Sequence, residues 1–386
     1  MMKKALCTAL VAACVLSLAA CGGKSGGSTQ AASGNAENAG GSGSASGDGA
    51  ASEAGSVDIG NGVLNVYNWG EYIDDQVLAD FEEKYGVTVN YSLFASNEEM
   101  YTKLLSGASY DVIVPCDYMI ERLIKEKMIQ PIDKSIVTNL DVLTDGAKNL
   151  DCDPDNTYIV PYLWQSVGIL YDTTKIDPAE VEEKGFSIYH DPKYAGQAYM
   201  YDSERDSFMM AFKALGYSMN TDKEEEIQEA FQWLREADKA VQPAYVTDEV
   251  IDAMANGEKW MAIVYSGDGC YISDMNDKLA FFEPKEGTNI CVDAMVIPAN
   301  AKNPALANLF MNFILEYDNS LRISEAVGYT SVNDQVMKDL YGAGGAYEGN
   351  SAYIPRSGYE KDEFFHDNET LKKELSELWI KVKLHE

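Results

Sequence analysis

From residue 61 onward, the apolar positions alternate between short strand-like runs and stripes at helical spacing. Residues 63–68 read as a strand. Residues 74–85 read as a helix whose Val77, Leu78, Phe81 and Tyr85 share one face, with Gly86 placed to close it. A strand at 87–94 follows. The Ser96, Asn97, Glu98, Glu99 run has the form of a capping box and opens a helix through Leu105. A short apolar strand at 111–115 leads to a helix over 118–127. This βαβαβ order predicts a parallel sheet with right-handed crossovers. The middle of the chain repeats the theme. A strand is expected at 199–202 and a long helix at 221–241, capped by Thr221 with Glu224 and turning Ile227, Phe231 and Leu234 inward. A helix at 247–256, stopped by Gly257, precedes strands at 260–265, 279–282 and 294–298. Pro304 opens a helix through Leu315, a second helix ends near Gly328, and the last runs over 368–383.

The first sixty residues break this pattern. Lys3 and Lys4 precede an apolar stretch over 5–20, too short to span a bilayer and ending Leu16-Ser17-Leu18-Ala19-Ala20-Cys21-Gly22-Gly23. The order of charge, apolar run, small residues and cysteine resembles the lipobox of bacterial lipoproteins. That resemblance implies removal of 1–20 and acylation of Cys21, a stable lipid anchor. An ordinary cleaved secretory signal with an incidental cysteine is the plainer alternative. Residues 21–60 are nearly all Gly, Ser, Ala, Asn and acidic residues, which form a flexible tether and no core.

Composition narrows the partners. The body, residues 61–386, is long enough for two domains, and 46% of the whole chain is hydrophobic. A formal net charge of -32, from 62 Asp and Glu against 30 Lys and Arg, excludes the basic footprint of nucleic-acid binding and steers cations inward. Of seven cysteines, Cys7 and Cys14 fall in the signal. Cys116, Cys152, Cys270 and Cys291 remain in the body, as disulfides or as buried free thiols. The three histidines are scattered without metal-ligand spacing. No metal or cofactor site, nucleophile elbow or phosphate loop is expected.

The candidate chemistry starts where the first strand empties into a loop, at Tyr67-Asn68-Trp69-Gly70-Glu71-Tyr72. Aromatic faces and a carboxylate around a glycine suit an organic cation, and the end of such a strand is where open α/β sheets bind ligands. Further landmarks occur in order: Tyr110-Asp111-Val112-Ile113-Val114-Pro115 leading to Tyr118, Met128 to Asp133, Ile159-Val160-Pro161-Tyr162-Leu163-Trp164, Tyr265-Ser266-Gly267-Asp268, Asp293 through Asn303, and Gly328-Tyr329.

As a set, these landmarks resemble the spermidine/putrescine-binding proteins, extracellular receptors of bacterial polyamine ABC importers. The resemblance implies an α/β, two-lobe, type II periplasmic-binding-protein clamshell with its ligand cleft between the lobes. Lobe one would comprise 61–166 and 292–338, and lobe two 167–291 and 339–386. It also implies a monomer at the outer face of the cell membrane or in the periplasm, without a cofactor, that serves membrane permease subunits and is not an enzyme. Carried over residue by residue, Trp69, Tyr72, Tyr118, Tyr265 and Tyr329 are wall positions. Glu71, Asp206, Asp268 and Asp293 are acids. Cys116 stands where the family has Ser, followed by Asp117. Ser203 replaces one acid, and Cys291 replaces an aromatic. The physics agrees: buried ammonium groups need carboxylates, and the methylenes between them gain against rings. A binder of another small organic cation is the nearest alternative. A lipid-anchored glycosidase using a carboxylate pair is the enzyme alternative.

Overall fold

The computed structural model describes residues 57–385. The expected signal peptide at 1–20, Cys21 and nearly all of the 21–60 tether lie outside the described residues. The first third builds as its pattern predicts, with β1 (Val63–Trp69), α1 (Asp75–Tyr85), β2 (Thr88–Phe94), α2 (Asn97–Leu105), β3 (Val112–Ile113) and α3 (Asp117–Lys125). β1 runs parallel to both β2 and β3. Asp74 caps α1, Gly86 closes it in the left-handed conformation, and Ser96 accepts the Glu99 amide at the start of α2.

The remaining elements are β4 (Ile129–Gln130), β5 (Ile159–Asp172), α4 (Pro178–Lys184), β6 (Ala198–Tyr201), α5 (Glu204–Leu215), α6 (Glu224–Val241), β7 (Ala244–Val246), α7 (Glu249–Ala255), β8 (Met261–Tyr265), α8 (Ser266–Met275), β9 (Leu279–Phe282), β10 (Ile290–Pro298), α9 (Pro304–Ile314), α10 (Tyr317–Val327), β11 (Thr330–Ser331), α11 (Asp334–Tyr341) and α12 (Glu369–Lys383). The main path across the sheet is β2-β1-β3-β10-β5-β8-β6-β7. β5, fourteen residues long and buried throughout, changes partners along its length. Ile159 to Ser166 pair with β10, and Val167 to Tyr171 pair with β8.

Where β5 lies against β10 the register breaks. Asp293 faces Leu163 and Ala294 faces Pro161, so Tyr162 has no opposite number. Pro161 has no N–H to give the ladder, which makes this a natural place for a bulge. The Ala294 amide turns instead to the Pro115 carbonyl (3.1 Å). Bulges re-aim side chains, and this one sits at Asp293.

Several sequence expectations are corrected. β10 begins at Ile290, not 294, because a buried Asp interrupts an otherwise apolar run. α6 begins at Glu224 with Lys223 at the cap, and the expected Thr221–Glu224 box does not form. Thr221 donates its hydroxyl to Glu226 instead (2.5 Å), while three glutamates in the first turn suit the positive end of the helix. Cys116, Cys152, Cys270 and Cys291 are all free thiols.

Candidate functional site

The candidate residues gather beyond the C-terminal ends of four strands. Trp69 ends β1 and Tyr72 follows it, Cys116 to Tyr118 follow β3, Ser203 and Asp206 follow β6, and Tyr265 and Asp268 end or follow β8. β1 and β3 are parallel, as are β6 and β8. The carboxyl end of such strands is where α/β sheets open a ligand crevice. Asp117, Asp206 and Asp268 each occupy the first turn of a helix, where the macrodipole favours an acid.

The bulge aims Asp293 at the loop after β1. Tyr72 donates its hydroxyl to Asp293 Oδ2 (2.6 Å), and Gln165 Nε2 donates to the same oxygen (3.2 Å). Tyr162 donates to the Tyr72 carbonyl (2.5 Å), holding that loop down. The turn itself uses a left-handed backbone at Glu71 rather than at Gly70. Glu71 is left exposed and Tyr72 buried.

Two more acids are held the same way. Asp268 accepts from Tyr201 (2.6 Å) and Tyr329 (2.9 Å). Asp206 accepts from Tyr265 (2.8 Å) and from Ser203, the helix cap (2.7 Å). The rings touch in turn, with Tyr72 and Tyr329 edge to face at 4.9 Å and Tyr201 and Tyr265 at 4.8 Å. One unbroken series of contacts therefore runs Asp293, Tyr72, Tyr329, Asp268, Tyr201, Tyr265, Asp206.

Among the described residues, no ion pair involves Asp206, Asp268 or Asp293. Burial pushes the carboxyl pKa of Asp293 and of Asp268 up to about 6, against the pull of the tyrosine hydroxyls. Asp206 is raised for the same reason. A cation arriving here meets carboxylates whose hydrogen bonds are made and which are in no ion pair, Asp206 feeling the nearby charge of Arg205.

The other candidates divide. Trp69 is half-buried, donates to the Val114 carbonyl (2.8 Å) and packs on Phe94. Tyr118 is buried with the Arg205 guanidinium 3.8 Å from its ring centroid, so a protein cation covers that face. Cys116, Asp117 and Cys291 come together, and burial pushes the Asp117 carboxyl well up. Glu71 has no part in the series. The sequence reading missed Tyr201, Gln165 and Arg205. Tyr201 had a signal, because it ends a strand immediately before the Ser203–Asp206 segment.

Comparison with known proteins shows the family. The sequence model for bacterial extracellular solute-binding proteins matches residues 76–343. The spermidine/putrescine-binding periplasmic protein of Escherichia coli is 34% identical over 282 residues, 72% of this chain and 80% of that one. The substrate-binding protein of a spermidine/putrescine ABC transporter from Streptococcus pneumoniae superposes with a TM-score of 0.73 at 29% identity, covering 84% of this chain and 99% of that one. A lipoprotein of Treponema pallidum does so with a TM-score of 0.72 at 25% identity, over 83% and 99%. The fold is the two-lobe, type II clamshell expected from the sequence. The family binds solutes rather than transforming them, which sets the glycosidase alternative aside. The chain belongs to the bacterial extracellular solute-binding proteins.

Proposed function

We propose that this protein captures a polyamine, putrescine and/or spermidine, outside the cell and delivers it to the permease subunits of an ABC importer. The observation that carries the reading is the tyrosine-linked series of three carboxylates, none of them in an ion pair among the described residues. A diamine is its chemical complement, with ammonium ends to answer the acids and methylenes to lie along the rings. In this reading Asp206, Asp268 and Asp293 hold the ammonium groups. Tyr72, Tyr201, Tyr265 and Tyr329 shape the channel, and Trp69 closes one side. Calorimetric titration should find one site of micromolar or tighter affinity, about -8 kcal/mol or better. Absence of heat and of thermal stabilisation with millimolar putrescine, spermidine and cadaverine would overturn the reading.

The lobes proposed are 61–166 with 292–338 and 167–291 with 339–386, hinged near 164–168 and 291–293. The partner switch of β5 between Ser166 and Val167 supports that boundary. The protein acts as a monomer held at the membrane by acylated Cys21. Cys21→Ser should move it from the membrane to the soluble fraction with ligand affinity unchanged. A variant that still sediments with membranes would count against the anchor.

A further inference from the structure

Beside Asp293 lies a group the diamine reading leaves unused. The sulfurs of Cys116 and Cys291 and a carboxylate oxygen of Asp117 all lie within 4.8 Å of one another. They come from different parts of the fold, Cys116 and Asp117 from the start of α3 and Cys291 from β10. Asp117 is 4% exposed. Its Oδ1 accepts the Tyr118 amide (2.7 Å), while Oδ2 has no hydrogen-bond partner at all. A buried carboxylate oxygen left without a donor costs free energy unless something else answers it. The Asn97 amide steadies the Cys116 sulfur (3.0 Å), and Cys291 Sγ lies 3.8 Å from Asp293 Oδ1.

We propose that Cys116, Cys291 and Asp117 form a site for a thiophilic divalent cation of the zinc class, beside Asp293. Two thiolates on one tetrahedral zinc, each at about 2.3 Å, stand roughly 3.8 Å apart, within the span already present. The thiolate pair selects against calcium and magnesium, which take oxygen ligands. Asp293 Oδ1 or a water completes the fourth corner. Each thiol gives its proton to solvent as its bond to the metal forms, so binding strengthens as pH rises. With Asp293 as the fourth ligand, metal and diamine exclude one another through it. The exclusion rests on the polyamine reading, whereas the metal site does not.

The test uses the full chain, purified in reducing buffer and stripped with chelator. Cobalt(II) serves as the optical probe and zinc as the calorimetric one. One equivalent of cobalt should give thiolate-to-metal charge-transfer absorption and the intense visible bands of tetrahedral geometry. Cys116→Ser and Cys291→Ser should each abolish the charge-transfer band or halve it, and Asp117→Asn should weaken zinc by at least about tenfold. The double variant Cys152→Ser, Cys270→Ser should keep the full signal. Thermal melts of each variant separate loss of the site from loss of the fold. A silent cobalt titration of folded, reduced protein overturns the site, as does an unchanged signal when Cys116 and Cys291 are both serine. Saturating putrescine should raise the apparent zinc Kd. Zinc binding that putrescine leaves untouched, in a sample shown separately to bind putrescine, overturns the exclusion and leaves the site standing.

Discussion

Asp293 shows how one residue joins charge, register and pH. It is 3% exposed, sits at a register break, and accepts from Tyr72 and Gln165 without a cation. With a pKa near 6 in the fold and near 3.9 in an unfolded chain, it holds a proton in the folded state that the unfolded state has released. Asp268 behaves alike. Through these two groups the unliganded protein should gain stability as pH falls from 7 toward 5. An ammonium needs the ionised form, so diamine affinity should fall through the same window. Melting and calorimetry across that range should therefore slope in opposite directions. Asp293→Asn should weaken diamine binding by about 2–4 kcal/mol and remove its share of that pH dependence. Unchanged affinity would place the ligand elsewhere. The three acids were legible in the sequence because each sits in a short recognisable motif. The exposure of Glu71 was not, because it depends on which residue of Trp69-Gly70-Glu71 takes the left-handed turn. The cation on Tyr118 was not legible either, because Arg205 arrives from a distant helix.

At the scale of elements, two of the missed pieces share a cause. The pattern assigns nothing to β5, where Pro161 and the Gln165-Ser166 pair interrupt the strand signal. It assigns nothing to α8, whose Ser266-Gly267-Asp268-Gly269 start looks like a loop. Both are settled by tertiary pairing that local propensity cannot report. Gly267 has a packing reason to lack a side chain. A Cβ there would stand 2.1 Å from the Tyr329 ring, and Tyr329 donates to Asp268. Gly267→Ala should therefore displace that ring and its hydrogen bond. The expected cost is about 1–3 kcal/mol, read as lower thermal stability together with weaker diamine binding. A variant with wild-type melting and affinity would show that the ring moves aside freely.

Across the whole molecule, α2 and α3 are tied to the chain around 366–372 by three ion pairs and one histidine–carboxylate hydrogen bond. Glu98 meets Lys372, Glu121 meets His366, Arg122 meets Glu369 and Lys125 meets Asp367. Each partly exposed pair contributes little alone, about 0–1 kcal/mol. In the proposed division they bridge the two lobes and would bias them toward closure. Saturating putrescine should then reduce the radius of gyration measured by X-ray scattering. Equal radii, with saturation verified, would argue for a rigid pocket. The overall class was readable from the order of landmarks, whereas the long-range pairings that build it appear only in three dimensions.

Those pairings also govern when the molecule can come into being. β10 inserts between β3 and β5, although it follows them in the chain by more than a hundred residues. No nascent stretch ending before Pro298 can complete that sheet, whatever its first third does locally. Closing so long a loop is slow, and little rewards it until the late strand arrives. A protein of an extracellular family must leave the cell that makes it. Its own topology postpones the finished sheet until most of the polypeptide has emerged.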